Sequence, residues 1–144
     1  MPLLEWSAAL ELNAPVMDDT HREFVALLNA LNEAADADML ACTDAFLAHT
    51  EQHFAMEEQW MVETAFPPYG CHKTEHDGIL DVVREVRKRV AAGELQYGTT
   101  LAAALAEWFP QHAQSMDAVL ARYLCQAGFD PARAGARAAS SAPA

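Results

Sequence analysis

The stretch HKTEHDGILDVVREVRKRV, residues 72–90, places His72, His76, Ile79, Val83, Val86 and Val90 at spacings of three and four. That is the repeat of one face of an α-helix, not the alternation of a strand. The face is apolar along most of its length and carries two imidazoles at its start. The stripe that packs a core therefore also sends ring nitrogens into it. Side chains four apart are neighbours on a helix surface, so His72 and His76 can grip one ion from one side.

Working outward, the chain reads as helices with short breaks. Before this stretch, residues 39–64 carry an inward face at Leu47, Thr50, Phe54 and Met61, and Phe66-Pro67-Pro68-Tyr69-Gly70 ends the helix. A first helix runs from an N-cap at Asp18 or Asp19 to about residue 36, with Phe24, Leu28 and Leu31 inward. The third covers 70–92 and stops at Gly93. A fourth covers 99–126, capped by Thr99 or Thr100 and followed by Gly128, with Leu101, Leu105, Trp108, Met116, Val119 and Tyr123 inward. Residues 1–17 form an irregular arm carrying Leu3, Leu4, Trp6, Leu10 and Val16. The expected fold is all-α: an up-down-up-down antiparallel four-helix bundle over residues 1–126 with an N-terminal arm. Residues 127–144, rich in Ala, Pro and Ser, are expected to be a disordered tail. Pro110 falls inside the fourth helix, where it removes a hydrogen bond and crowds the preceding turn, so a kink is expected between Ala106 and Pro110.

Composition excludes several function classes. The chain has 144 residues, enough for one domain with its own core, and a net charge of −12. Phosphate backbones and anionic lipid surfaces would be repelled, so nucleic acid is not an expected partner. No apolar run of about 18 residues is present, so no membrane span is expected. The start, MPLLEWSAALELN, lacks the basic opening of a secretory signal, which points to the cytoplasm. Cys42, Cys71 and Cys125 are odd in number and not paired in CxxC spacing, so neither a disulfide framework nor a zinc knuckle is expected.

The histidines carry the chemistry. Of the six, His21, His53, His72, His76 and His112 fall on the inward stripes, at least one on each helix. A single buried imidazole is usually an ordinary core residue with a partner. Five on four helices need a common one, because each buried ring nitrogen costs free energy unless paired. Glu57, four residues after His53, points inward beside it. Asp117 follows His112 by five residues, about 140° round an ideal helix, so it would reach the bundle axis from another edge. His49, one turn before His53, is expected at or near the surface. Glu51, Glu58 and Asp77 are expected to be solvated charges.

Five imidazoles and two carboxylates exceed the four ligands of one tetrahedral zinc, and no thiolate is placed for a soft site. Two octahedral ions sharing bridging carboxylates account for the number. Mixed nitrogen and oxygen donors suit iron or manganese, and the nitrogen richness favours iron.

The spacing His21, then His53-Phe54-x-x-Glu57-Glu58-x-x-Met61, then His72-x-x-x-His76, then Trp108-x-x-x-His112-x-x-x-x-Asp117 resembles the hemerythrins of the bacterial single-domain type. Trp6 and Asp18-x-x-His21-x-x-x-Val25-x-x-Leu28-Asn29 resemble the family's start, and the likeness spans about residues 4–124. It implies one iron on His72, His76 and His112, a second on His21 and His53 with an open position, and bridges from Glu57, Asp117 and an oxo or hydroxo group. O2 would bind end-on at the open iron and be released again. Phe109 and Phe54 are the aromatic side chains expected next to the cofactor. Phe109 stands where the family often has Leu, and Pro110 and Ala113 also depart from the commoner residues.

The resemblance implies reversible O2 binding for carriage, storage or delivery to an oxidase rather than enzymatic turnover; a monomer is expected. O2 or redox sensing, read by a signalling partner, is one alternative; peroxidase or iron-buffering activity is another. A bundle whose histidines only collect stray zinc is the bland reading.

Overall fold

The computed structural model describes residues 2–133. It is helical, in the order α1 (Pro15–Glu33), α2 (Met39–Glu63), α3 (Tyr69–Ala91), α4 (Gln96–His112), a π-helical turn (Ala113–Asp117) and α5 (Ala118–Gln126). Short 3-10 turns at Ala8–Leu10 and Asp36–Asp38 interrupt the arm and the first loop. α1 packs on α2 and α4, and α3 on the same two, which is the square of an up-down-up-down bundle.

The helix ends follow local chemistry. α1 begins at Pro15, three residues before the expected Asp18; proline suits this first position because the missing N–H would have no helical partner there. Asp18 is not the cap. It sits in the first turn, 6% exposed, and accepts the Leu12 and Ala14 amides at 2.9 and 3.2 Å, tying the arm to the helix. α4 likewise starts earlier than expected, and Thr99 donates its hydroxyl to the Gln96 carbonyl rather than capping. α2, α3 and the last helix end alike. A residue at positive φ (Ala65, Gly93, Gly128) turns the chain, and the next amide returns to the carbonyl five residues back: Phe66 to Met61, Glu94 to Arg89, Phe129 to Leu124. Glycine is free to take that conformation at 93 and 128; Ala65 adopts it against its own preference.

Phe129 also packs against the buried cluster that includes Met17, Trp60 and Leu124, so the first residues past the bundle lie against it. The rest of the expected tail, 134–144, lies outside the described residues.

The core is in two parts. The larger contains Phe24, Leu28, Leu31, Phe46, Val83, Val86, Val90, Leu101, Leu105 and Phe109. The smaller contains Met17, Trp60, Met61, Phe66, Leu120 and Leu124. The expected ligands fall between the two: His21 between Met17 and Phe24 on α1, His53 and Glu57 between Phe46 and Trp60 on α2, and His112 and Asp117 between Phe109 and Leu120. A polar layer is thus sealed above and below by apolar side chains.

The fourth helix corrects one expectation. α4 continues through Pro110, and one turn later it widens into the π-helical turn at Ala113–Asp117. There the Ala118 amide reaches the Ala113 carbonyl, five residues back instead of four. The extra residue slips the inward stripe by one. Instead of Met116, Val119 and Tyr123, the buried residues after Ala113 are Asp117, Leu120 and Leu124; Val119 is 41% exposed.

Candidate metal centre

All seven expected ligands are buried, none more than 3% exposed, and they meet at one level of the bundle. The π-helical turn makes this possible. A residue five positions on would face away on an α-helix, but an i to i+5 turn stacks it over its predecessor. The Asp117 carboxylate therefore lies on the His112 face, with Oδ1 3.2 Å from His112 Nε2. The reading that Asp117 approaches from another edge is replaced by this one.

The carboxylates divide their oxygens between two groups of imidazoles. Glu57 Oε2 is 2.7 Å from His53 Nε2 and 3.4 Å from His21 Nε2. Its Oε1 is 3.5 Å from Nε2 of both His72 and His76. Asp117 Oδ2 is 3.2 Å from His21 Nε2, while Oδ1 is 3.1 Å from His72 Nε2. One half of the centre thus has three imidazoles (His72, His76, His112) and the other has two (His21, His53). Both halves share the same two carboxylates.

Several of these approaches lack hydrogen-bond alignment. Nε2 of His21, His72, His76 and His112, Glu57 Oε1 and both Asp117 oxygens are buried without a hydrogen-bond partner. Buried lone pairs aimed at a common point, close but not bonded to one another, are what a cation's donors look like. Among the described residues no Lys or Arg pairs with Glu57 or Asp117, so a cation is the natural counter-charge for two buried carboxylates. The donors form one cluster of Glu57, His72, His76, His112 and Asp117 and a second of His21, His53 and Glu57, each compact enough to hold a metal ion.

The electrostatics of the ion-free residues reflect the same crowding. Burial alone would lower His21 and His72, but Asp117 and Glu57 outweigh it and carry them to about 10 and about 9. Burial, reinforced by the charges of His72 and His112, drives His76 down to about 3. Burial works to raise both carboxyls, yet His53 and His21 hold Glu57, and His112, His21 and His72 hold Asp117, well below the usual carboxylate range.

A second layer orients the rings. Glu75 Oε1 accepts the Trp108 Nε1 proton at 2.9 Å and lies 3.0 Å from His112 Nδ1. The Trp108 ring stacks on His112 with centroids 4.5 Å apart. Glu58 Oε2 lies 3.1 Å from His76 Nδ1, so Glu58 is not the solvated charge expected of it. A carboxylate behind a ligand imidazole fixes its tautomer and raises its basicity. Glu75 went unnoticed because its partner lies across the bundle on α4; its place beside His76 was the only clue. His49 is half-buried and pairs with Glu23 at 3.1 Å, its ring 6.0 Å from that of His53. Asp77 pairs with Lys73, and Glu51 with Arg84, at the surface.

Of the two aromatic candidates, Phe109 touches the two-imidazole half, while Phe54 touches both, meeting His53 at 5.2 Å as well as His76. Phe109 meets His21 edge-on at 5.1 Å and packs on Phe24 at 4.7 Å, beside the two-imidazole half. Phe54 stacks face to face on His76 at 3.8 Å, in the three-imidazole half.

Comparison with known proteins agrees with this geometry. Residues 13–124 match the family described as Hemerythrin HHE cation binding domain. A bacteriohemerythrin of Ralstonia nicotianae is 46% identical over 130 residues, covering 90% of this chain and 95% of its own. Another from Stenotrophomonas maltophilia is 32% identical over 121 residues, covering 81% and 78%. A crystal structure of hemerythrin carrying a single leucine-to-alanine change superposes with a TM-score of 0.80 at 25% identity, covering 86% of this chain and 98% of that one. By fold, by the cation-binding cluster at its heart and by sequence, the chain belongs to the hemerythrin family.

Proposed function

We propose that this centre holds two iron ions bridged by Glu57, Asp117 and an oxo or hydroxo group, and that it binds O2 reversibly. The observation that carries the reading is the division of each carboxylate's oxygens between the two imidazole groups. A single ion would draw both oxygens of a carboxylate, or one of them, to one point. Two points of attraction call for two ions, and all-nitrogen-and-oxygen donors suit iron.

The two-imidazole half has one protein ligand fewer, so that is where a small molecule has room to bind. An iron pair, when bound, supplies the electrons that an O2 molecule needs to be held and then returned. The protein's part is to keep the ligands in place and water out. Phe24, Phe109 and His21 are all at most 1% exposed, and Phe109 packs on both of the others at the two-imidazole half. Glu58 and Glu75 steady two of the three imidazoles opposite. In this reading the chain is a monomeric carrier or store of O2 in the cytoplasm, delivering to an oxidase or reporting to a signalling protein, and it is not primarily an enzyme. Among the described residues no helix is long and apolar enough to cross a membrane.

The test is iron content together with the optical spectrum through repeated cycles of O2 and its removal. Two irons per chain and a band that comes and goes with O2 are expected. Zinc alone in the purified protein would overturn the iron reading, and rapid peroxide turnover would move the function to an enzyme. His72→Ala should lose metal; full metal content in that variant would count against the ligand set.

A further inference from the structure

A groove of about 450 Å³ opens between the start of α3 and the π-helical turn, outside the layer where the seven ligands meet. Its flanks are apolar, from Phe66, Met116 and Val119, and Arg122 stands among its lining residues. That volume falls within the range of small-molecule sites, which are mostly apolar with a few placed polar groups.

Three separate features suit the groove to a negative group, in a chain of net charge −12. α3 opens with no side-chain cap and no acidic residue in its first turn, and Pro68 and Cys71 at that end line the groove. Such a helix start favours an anion. Arg122 is exposed and takes part in no ion pair among the described residues. The third feature is His72, whose side chain is 2% exposed and lines the groove. Its Nε2 turns inward to Asp117 and Glu57, leaving Nδ1 on the other edge of the ring without a partner. His76 and His112 each have a carboxylate at Nδ1, Glu58 and Glu75; His72 has none.

We propose that this groove binds a small monocarboxylate with an apolar tail, its charged head held by Arg122 and the start of α3 and its tail lying along Phe66, Met116 and Val119. The ligand is then in contact with both elements that feed the three-imidazole half: α3 through His72, and the π-helical turn that carries Asp117. Its carboxylate supplies the negative charge that His72, alone of the three imidazoles, lacks behind it. Occupancy therefore reports on the centre without entering it. Binding itself does not depend on the iron reading, because the groove is built from residues outside the ligand set except for the back of His72.

The experiment is calorimetric titration of the full-length, metal-loaded protein with octanoate, with 1-octanol as the uncharged probe of equal length. Saturable one-to-one octanoate binding is expected, with octanol at least tenfold weaker. Arg122→Gln should weaken octanoate about tenfold and leave octanol unchanged, and Val119→Glu should abolish octanoate binding by placing a like charge in the groove. Both positions are exposed, so neither change threatens the fold. Octanoate should also move the His72 ring resonances in the metal-free chain, a readout that does not need iron. Absence of saturable binding, equal affinity for octanol, or an unaltered affinity in Arg122→Gln would each overturn the proposal.

Discussion

Glu75 offers the sharpest test of how the second layer supports the centre. Its Oε1 serves two donors at once, Trp108 Nε1 at 2.9 Å and His112 Nδ1 at 3.0 Å. Removing the carboxylate in Glu75→Ala leaves both donors without an acceptor, and each buried donor so stranded costs about 1–3 kcal/mol. The Glu75 side chain is 34% exposed, so water relieves part of that cost and the lower half of the range applies. Outer partners of metal-bound imidazoles are worth about 10–100-fold in metal affinity. Glu75→Ala is therefore expected to weaken metal binding by roughly a hundredfold, about 2.7 kcal/mol. Glu75→Gln keeps an acceptor oxygen but loses the charge and should cost roughly tenfold, about 1.4 kcal/mol. The assay is competition for iron against a chelator of known affinity, with Glu85→Ala as control, since Glu85 pairs with Arg89 at the surface. Equal affinities in the wild type and both Glu75 variants would refute the argument. So would a Gln variant as weak as the Ala variant, because the gradation is what ties the effect to charge on His112.

Three further outcomes follow from the same geometry. Phe109→Ala should destabilise the protein by about 3–5 kcal/mol, the usual cost of removing a buried phenyl ring. It should also speed O2 release, because the ring stands against His21; lost stability with an unaltered release rate by stopped flow would reduce Phe109 to plain packing. In the metal-free protein, His21 and His72 titrate at about 10 and about 9, above the unfolded histidine value. A raised folded pKa stabilises below the unfolded pKa of about 6.5 and fades as pH climbs through the folded one, so denaturant stability of the metal-free chain should fall between neutrality and pH 10. The metal-loaded chain, whose imidazoles are neutral, should show no such alkaline loss. Asn29 binds the arm through the Leu3 and Leu4 amides at 3.0 and 3.2 Å and the Leu4 carbonyl at 2.8 Å. Asn29→Ala should cost about 1–2 kcal/mol and expose residues 3–12 to protease while metal content holds; an arm as resistant as before would show that Leu4 and Trp6 packing alone retains it.

Most of the bundle was readable from residue spacing, because helical periodicity and the breaks at Phe66-Pro67-Pro68-Tyr69-Gly70 and Gly93 are local properties. Five inward imidazoles and Glu57 beside His53 followed from the same repeat. Helix starts were less legible. A short polar residue before an apolar run looks like a cap, yet Asp18 and Thr99 spend their side chains otherwise, and Pro15 opens α1 instead.

What residue order alone determined is the set of donors and the faces on which most of them stand. It did so because a helix repeats at a known angle and buried nitrogen must be paired. What only the folded chain decided lies after His112. There the backbone takes one residue more per turn, turning Asp117 inward and Val119 outward. A widened turn is favoured by what it touches across the bundle rather than by its own residues, so the spacing of Asp117 read as a misfit until the other three helices were in place. The partners behind the rings, Glu75 for His112 and Glu58 for His76, were hidden for the same reason: they join residues far apart in the chain, and only packing brings them within reach.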